Sequence, residues 1–134
     1  MKRALIAAAL CLSFLPLSAA MAEDGIKVQQ VQFKKGESNA SLQGKIAGHQ
    51  TLDYVLSAKA DQSMVVNLTG KSSTYFNVLP PKSEEAIFIG STLGNRYEGK
   101  LPASGQYRIR VYQMGAAEQS STPHSFKLDI GISN

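Results

Sequence analysis

The sequence predicts an all-β protein, an antiparallel sandwich of about eight short strands, and three observations carry that prediction. Apolar and polar residues alternate with period two along most of the chain. Turn-forming clusters recur at intervals of roughly ten residues. No stretch between the strands is long and periodic enough to serve as the crossover helix that parallel strands require.

The elements follow in order. Ile26 and Val28, then Val31 and Phe33, alternate with one change of phase at Gln29-Gln30, which predicts a bulge. Lys34 to Asn39 is a turn, and Leu42, Gly44 and Ile46 form a second strand that Gly48 ends. Leu52, Tyr54 and Leu56 form a third. Ala60-Asp61-Gln62 turns the chain into Met64, Val66 and Leu68, and Thr69 to Ser73 turns it again into Tyr75 to Leu79. Pro80-Pro81 stops that strand, because neither proline can donate to a ladder. Ala86 to Ile89 is a short apolar run, and Ser91 to Lys100 reads as polar and irregular. Leu101 to Gly105 is a turn into the strongest strand, Tyr107 to Met114. There Tyr107, Ile109 and Val111 share one face, and Arg108, Arg110 and Tyr112 share the other. Gly115 to Pro123 is a loop, and Phe126, Leu128, Ile130 and Ile132 close the domain. Arg108 and Arg110 read as a solvated face, and Glu84-Glu85 as a solvated turn.

At 134 residues the chain holds one core. Its first residues have the layout of an export signal. Met1, Lys2 and Arg3 are the positive start, Ala4 to Leu17 the apolar stretch, and Ala20-Met21-Ala22 the small-residue cleavage site. Residues 1–22 are therefore expected to be removed, leaving 112 residues, 23–134, as one domain. Removal takes away Lys2 and Arg3, which lowers the net charge from +4 to +2, and takes away Cys11, the single cysteine. The expected product has no thiol, so a disulfide framework, a thiolate zinc site and a cysteine nucleophile are excluded. The expected location is a bacterial periplasm. No membrane attachment is expected after cleavage, and a charge of +2 without a basic cluster is no nucleic-acid footprint.

Catalytic patterns are absent. His49 and His124 lie far apart in predicted loops, no H-x-x-x-H or H-x-H spacing occurs, and there is no G-x-S-x-G elbow. Neither a metal nor a cofactor is expected. Composition and periodicity lead to an exported binding domain that is not an enzyme.

The segment Leu101 to Gln113, LPASGQYRIRVYQ, resembles the S-G-x-Y segment of the periplasmic lysozyme inhibitors, in particular those of i-type (invertebrate) and g-type (goose) lysozymes. Val31 to Gln62 is similar to the strands of that family in order and spacing, and Ser125 to Ile132 to its last strand. The resemblance implies a lysozyme partner and a loop that plugs the enzyme's cleft, where an acidic residue acts as general acid. Ser104 would reach the catalytic carboxyl group, Gly105 would permit the tight turn, and Tyr107 would offer a flat surface and a hydroxyl, or else pack its ring inward while its hydroxyl supports the loop. His49 would be a contact from a second loop, at a turn where g-type inhibitors carry an aromatic residue. Those inhibitors also place arginines in the loop matching Met114 to Gln119, which here has none. That difference leads the sequence reading to i-type lysozyme as partner, with g-type as the alternative. A rival resemblance is to the pre-peptidase C-terminal domains of secreted proteases, which would make the chain a carbohydrate- or protein-binding module. A free-standing inhibitor is expected over an appended module because the chain carries its own leader.

Overall fold

A computed structural model describes residues 26–134. The expected export signal, residues 1–22, lies outside the described residues. The strands are β1 (Ile26–Gln30), β2 (Asn39–Ile46), β3 (Thr51–Ala58), β4 (Ser63–Thr69), β5 (Thr74–Leu79), β6 (Phe88–Ile89), β7 (Arg96–Lys100), β8 (Gly105–Gln113) and β9 (His124–Ser133). One helical turn, α1 (Gly90–Leu93), separates β6 from β7, and a 3-10 turn spans Gly115–Ala117.

The strands form two facing sheets, one ordered β1-β3-β8-β5-β6 and the other β2-β9-β4-β7. The all-β sandwich is therefore as expected. Alternation decides which residues face inward. On β8 the inward series is Tyr107, Ile109, Val111 and Gln113, and on β9 it is Phe126, Leu128, Ile130 and Ile132. Apart from Gln113, these join Ile46, Tyr54, Met64, Val66, Phe76 and Val78 in one core between the sheets. Each large apolar side chain removed from water contributes roughly 1.5–3 kcal/mol. A run of aromatics closes the side at β6 and β7: Phe76 stacks on Phe88 at 5.0 Å, and Phe88 meets Tyr97 at 5.3 Å.

Two features differ from the sequence reading. β1 pairs with β3 in parallel, the one parallel pair among the described strands. The expected bulge at Gln29-Gln30 gives way to the end of β1, after which Val31 N–H donates to the Val55 carbonyl and Phe33 packs against the core. The segment expected to be irregular contains β7, which pairs with β4 from Ser63↔Lys100 to Asn67↔Arg96.

The connections place the loops. β3 to β4 and β7 to β8 both cross from one sheet to the other at the same end of the sandwich, through Lys59–Gln62 and Leu101–Ser104. β2 to β3 and β8 to β9 cross at the opposite end, through Ala47–Gln50 and Met114–Pro123.

Candidate functional site

At the first end, the two crossovers brace each other. Asp61 N–H donates to the Leu101 carbonyl at 2.9 Å, and Leu101 N–H donates to the Gln62 carbonyl at 2.8 Å. Leu101 is buried between them and anchors the turn to the core. Gln62 Oε1 also accepts from Lys59 N–H at 2.7 Å. Ser104 stands exposed on this tip. Its Oγ accepts a hydrogen bond from Ala60 N–H at 2.8 Å. A serine hydroxyl that accepts one bond still has its own proton and a second lone pair. Ser104 is thus fixed in position and free to donate outward, which is what recognition of a carboxylate requires.

Gly105 takes φ +145°, and a Cβ there would lie 2.9 Å from two carbons of the Pro81 ring. The tip can be this tight only with glycine at that position.

The ring of Tyr107 packs inward and offers no surface to a partner, so of its two expected roles the contact role gives way to support of the loop. Its side chain is fully buried, in phase with Ile109 and Val111. Its hydroxyl donates to the Ala103 carbonyl at 2.6 Å and accepts from Ala103 N–H at 3.2 Å. Both polar groups of Ala103 are therefore held from inside, one residue before Ser104. Tyr107 is a brace under the tip.

His49 lies at the other end. β3 separates its turn from the Ala60–Ser104 tip, and at about 3.3 Å per residue the two are roughly 25 Å apart. Ser104 and His49 therefore do not share one contact patch. His49 projects into solvent with its Nδ1 3.2 Å from Glu118 Oε2. A groove of about 410 Å³ runs between its turn and the Glu118–Ser121 loop. The residue that organises this end is Gln113, which sequence reasoning missed. It is buried, its amide donates to the carbonyls of Gly48 (3.2 Å) and Ala117 (3.4 Å), and its Oε1 lies 2.8 Å from His124 Nδ1. A polar residue in the inward phase of β8 was the available signal, since a buried amide must find partners.

Arg108 and Arg110 also depart from expectation. They are paired. Arg110 makes two bonds to Asp53, at 2.7 and 2.9 Å, and Asp53 is buried. Arg108 bonds Glu84 at 2.8 Å and the Ser83 carbonyl at 2.6 Å. Glu84 itself is exposed and spans both arginines, the second at 3.6 Å. The hydrogen bond and charge of Arg108 hold the Glu84 carboxyl below the ordinary carboxylate range, and the Asp53 bonds push Arg110 upward. Among the described residues, no three His, Cys, Asp or Glu are grouped so as to hold a metal ion.

No family model matches the chain. It is 38% identical to PliG of Aeromonas hydrophila, a periplasmic inhibitor of g-type lysozyme, whose solved structure superposes with a TM-score of 0.75. That match covers 81% of this chain and 97% of the other. It is 27% identical over 105 residues to the inhibitor of g-type lysozyme of Escherichia coli K12, covering 76% of this chain and 78% of that protein. The pre-peptidase C-terminal domain of a Bacillus anthracis collagenase is 13% identical, with a TM-score of 0.58 over 81% of this chain and 99% of the other. That last likeness is one of fold alone. The two nearer relatives are inhibitors and not enzymes, and both are named for g-type lysozyme. They lend no support to the i-type preference drawn from the arginine-free loop.

Proposed function

The chain belongs to the PliG family of periplasmic lysozyme inhibitors, and from that premise we propose that it inhibits g-type lysozyme by inserting the Ser104 tip into the enzyme's cleft. The chain is a periplasmic protein like its relatives, and in this reading residues 1–22 are the leader removed on export. The observation that carries the proposal is the state of Ser104: exposed, held in place by Ala60 N–H, and left with a proton to donate. A general acid in a glycosidase cleft is a carboxyl group, and a fixed hydroxyl with a proton and a lone pair to spare can hydrogen-bond that group whether it is protonated or ionised. The cross-tied crossovers and the Tyr107 brace supply the stiffness, which lowers the entropy cost of docking.

Ser104→Ala tests the reading. Inhibition of a g-type lysozyme in a cell-wall lysis assay is expected to weaken about tenfold, equivalent to ~1.4 kcal/mol, with the melting temperature unchanged. Full inhibition by Ser104→Ala would remove the tip from the mechanism.

A second reading is favoured by one observation, the groove between His49 and Glu118, beside which the Gln113 amide ties the two loops together. There the enzyme would engage the opposite end of the sandwich. His49→Ala combined with Glu118→Ala would then abolish inhibition while Ser104→Ala left it intact.

A further inference from the structure

The side of the sandwich between β1 and β2 holds a cleft of about 330 Å³ lined by Lys27, Gln29, Gln43, Lys45, Leu52 and Tyr54, with Val28 and Gly44 at its walls. Gly44 belongs to the inward series of β2, between Leu42 and Ile46. A Cβ at Gly44 would lie 2.7 Å from the Tyr54 hydroxyl oxygen and 2.7 Å from the tip of the Phe126 ring. Only glycine lets that hydroxyl approach the backbone of β2, at the border of the cleft.

Tyr54 is 2% exposed, yet its hydroxyl has no hydrogen-bond partner among the described residues, and it is not sealed from the cleft. An accessible phenol on an otherwise buried ring is left to water or to an acceptor that enters the cleft. Burial also raises its pKa, so it remains an O–H donor at neutral pH. The cleft wall has two lysines and two glutamines and no carboxylate, while Leu52 and Val28 supply apolar surface.

We propose that this cleft binds a small carboxylate on a short aliphatic stem. One carboxylate oxygen accepts from the Tyr54 hydroxyl, Lys27 and Lys45 supply the positive charge, and the stem lies against Leu52. The volume lies at the small end of ligand sites, so the ligand has only a few carbons beyond its carboxylate. Such a group comes either from a short-chain fatty acid or from the C-terminus of a small peptide.

Two probes separate those sources: butyrate and N-acetyl-alanyl-alanine, each titrated into the protein while the amide resonances of Gly44 and Leu52 are followed by NMR. Sodium chloride at matched ionic strength is the control. A saturating shift with at least one probe and none with chloride is expected, and the tighter probe identifies the source. Tyr54→Phe keeps the ring and removes the hydroxyl. It is expected to retain the melting temperature and to bind the probe at least fivefold more weakly, and Lys45→Ala is expected to weaken it likewise. Non-saturating shifts with both probes, an equal response to chloride, or unchanged binding by Tyr54→Phe would overturn the proposal. Should Tyr54→Phe fail to fold, Lys27→Ala together with Lys45→Ala decides in its place. No lysozyme enters this experiment, so its outcome is independent of the inhibition reading.

Discussion

Tyr107 and Ser104 are three residues apart and do different work, and their variants should separate. Tyr107→Phe leaves the ring in the core but removes the donor to the Ala103 carbonyl and the acceptor for Ala103 N–H. The loss should cost about 1–3 kcal/mol in urea unfolding, and inhibition should fall with it because Ala103 holds Ser104. Ser104→Ala should leave stability within about 0.5 kcal/mol, since the residue is exposed and water can satisfy Ala60 N–H. Tyr107→Phe with the wild-type urea midpoint would show that the brace contributes nothing. The burial of Tyr107 was legible beforehand: it is in phase with Ile109 and Val111, and the face they share had to be the inner one. Its chemistry left two roles open, because an aromatic hydroxyl near a turn suits an interface and a brace equally. Gln113 was hidden for a related reason. The partners that satisfy its amide come from Gly48 and Ala117, in loops whose approach no local pattern records.

Among the elements, those with strict alternation were read correctly, and the exceptions have physical causes. β7 has one large apolar side chain, Tyr97, among Arg96, Glu98, Gly99 and Lys100. It is an edge strand with a single anchor, held by pairing with β4, so period two had almost nothing to act on. The parallel β1 was equally hidden, because alternation does not distinguish the direction of pairing. The face of β8 read as solvated instead carries the Asp53–Arg110–Glu84–Arg108 network, assembled across β3, β8 and the loop after β5. Arg110→Ala would strand the buried Asp53 carboxylate and should cost roughly 2–3 kcal/mol. Arg110→Lys should recover only part of it, since lysine cannot reproduce the two-point contact. Glu84 gives the pH dependence its sign. Its folded pKa is depressed, so its contribution is present above the ordinary glutamate range and is lost as pH falls through the lower folded value. Thermal melts between pH 7 and pH 3 should show a smaller acid-induced loss for Glu84→Gln than for the parent, and parallel curves would remove Glu84 from the acid response. The exposure of Glu84 keeps that difference small.

At the scale of the molecule, the sandwich presents two stiff ends about 25 Å apart. Each is tied by a different device, paired backbone crossovers at Ser104 and a single buried amide at Gln113. The proposed inhibition needs only one of them to enter a lysozyme cleft. If the Ser104 end docks, Gln113→Ala should loosen the far loops and leave inhibition near the parental level. Its cost then appears in stability, about 1–3 kcal/mol from the unpaired Gly48 and Ala117 carbonyls. If the His49 end docks, the same variant should lose inhibition beyond what its stability loss explains. Ionic strength provides an independent check on the docking mode. With residues 1–22 removed, as proposed, the net charge would be only +2, and no arginine lies between Met114 and Gln119 to meet an acidic partner. Long-range steering by so small a charge is weak, and its screening changes association little. Inhibition measured from 50 to 300 mM salt should therefore change less than about threefold, because a short hydroxyl-to-carboxylate contact in a closed cleft is shielded from mobile ions. A steep decline with salt would mean that exposed lysines dominate binding, and the Ser104 tip would then be a minor contact.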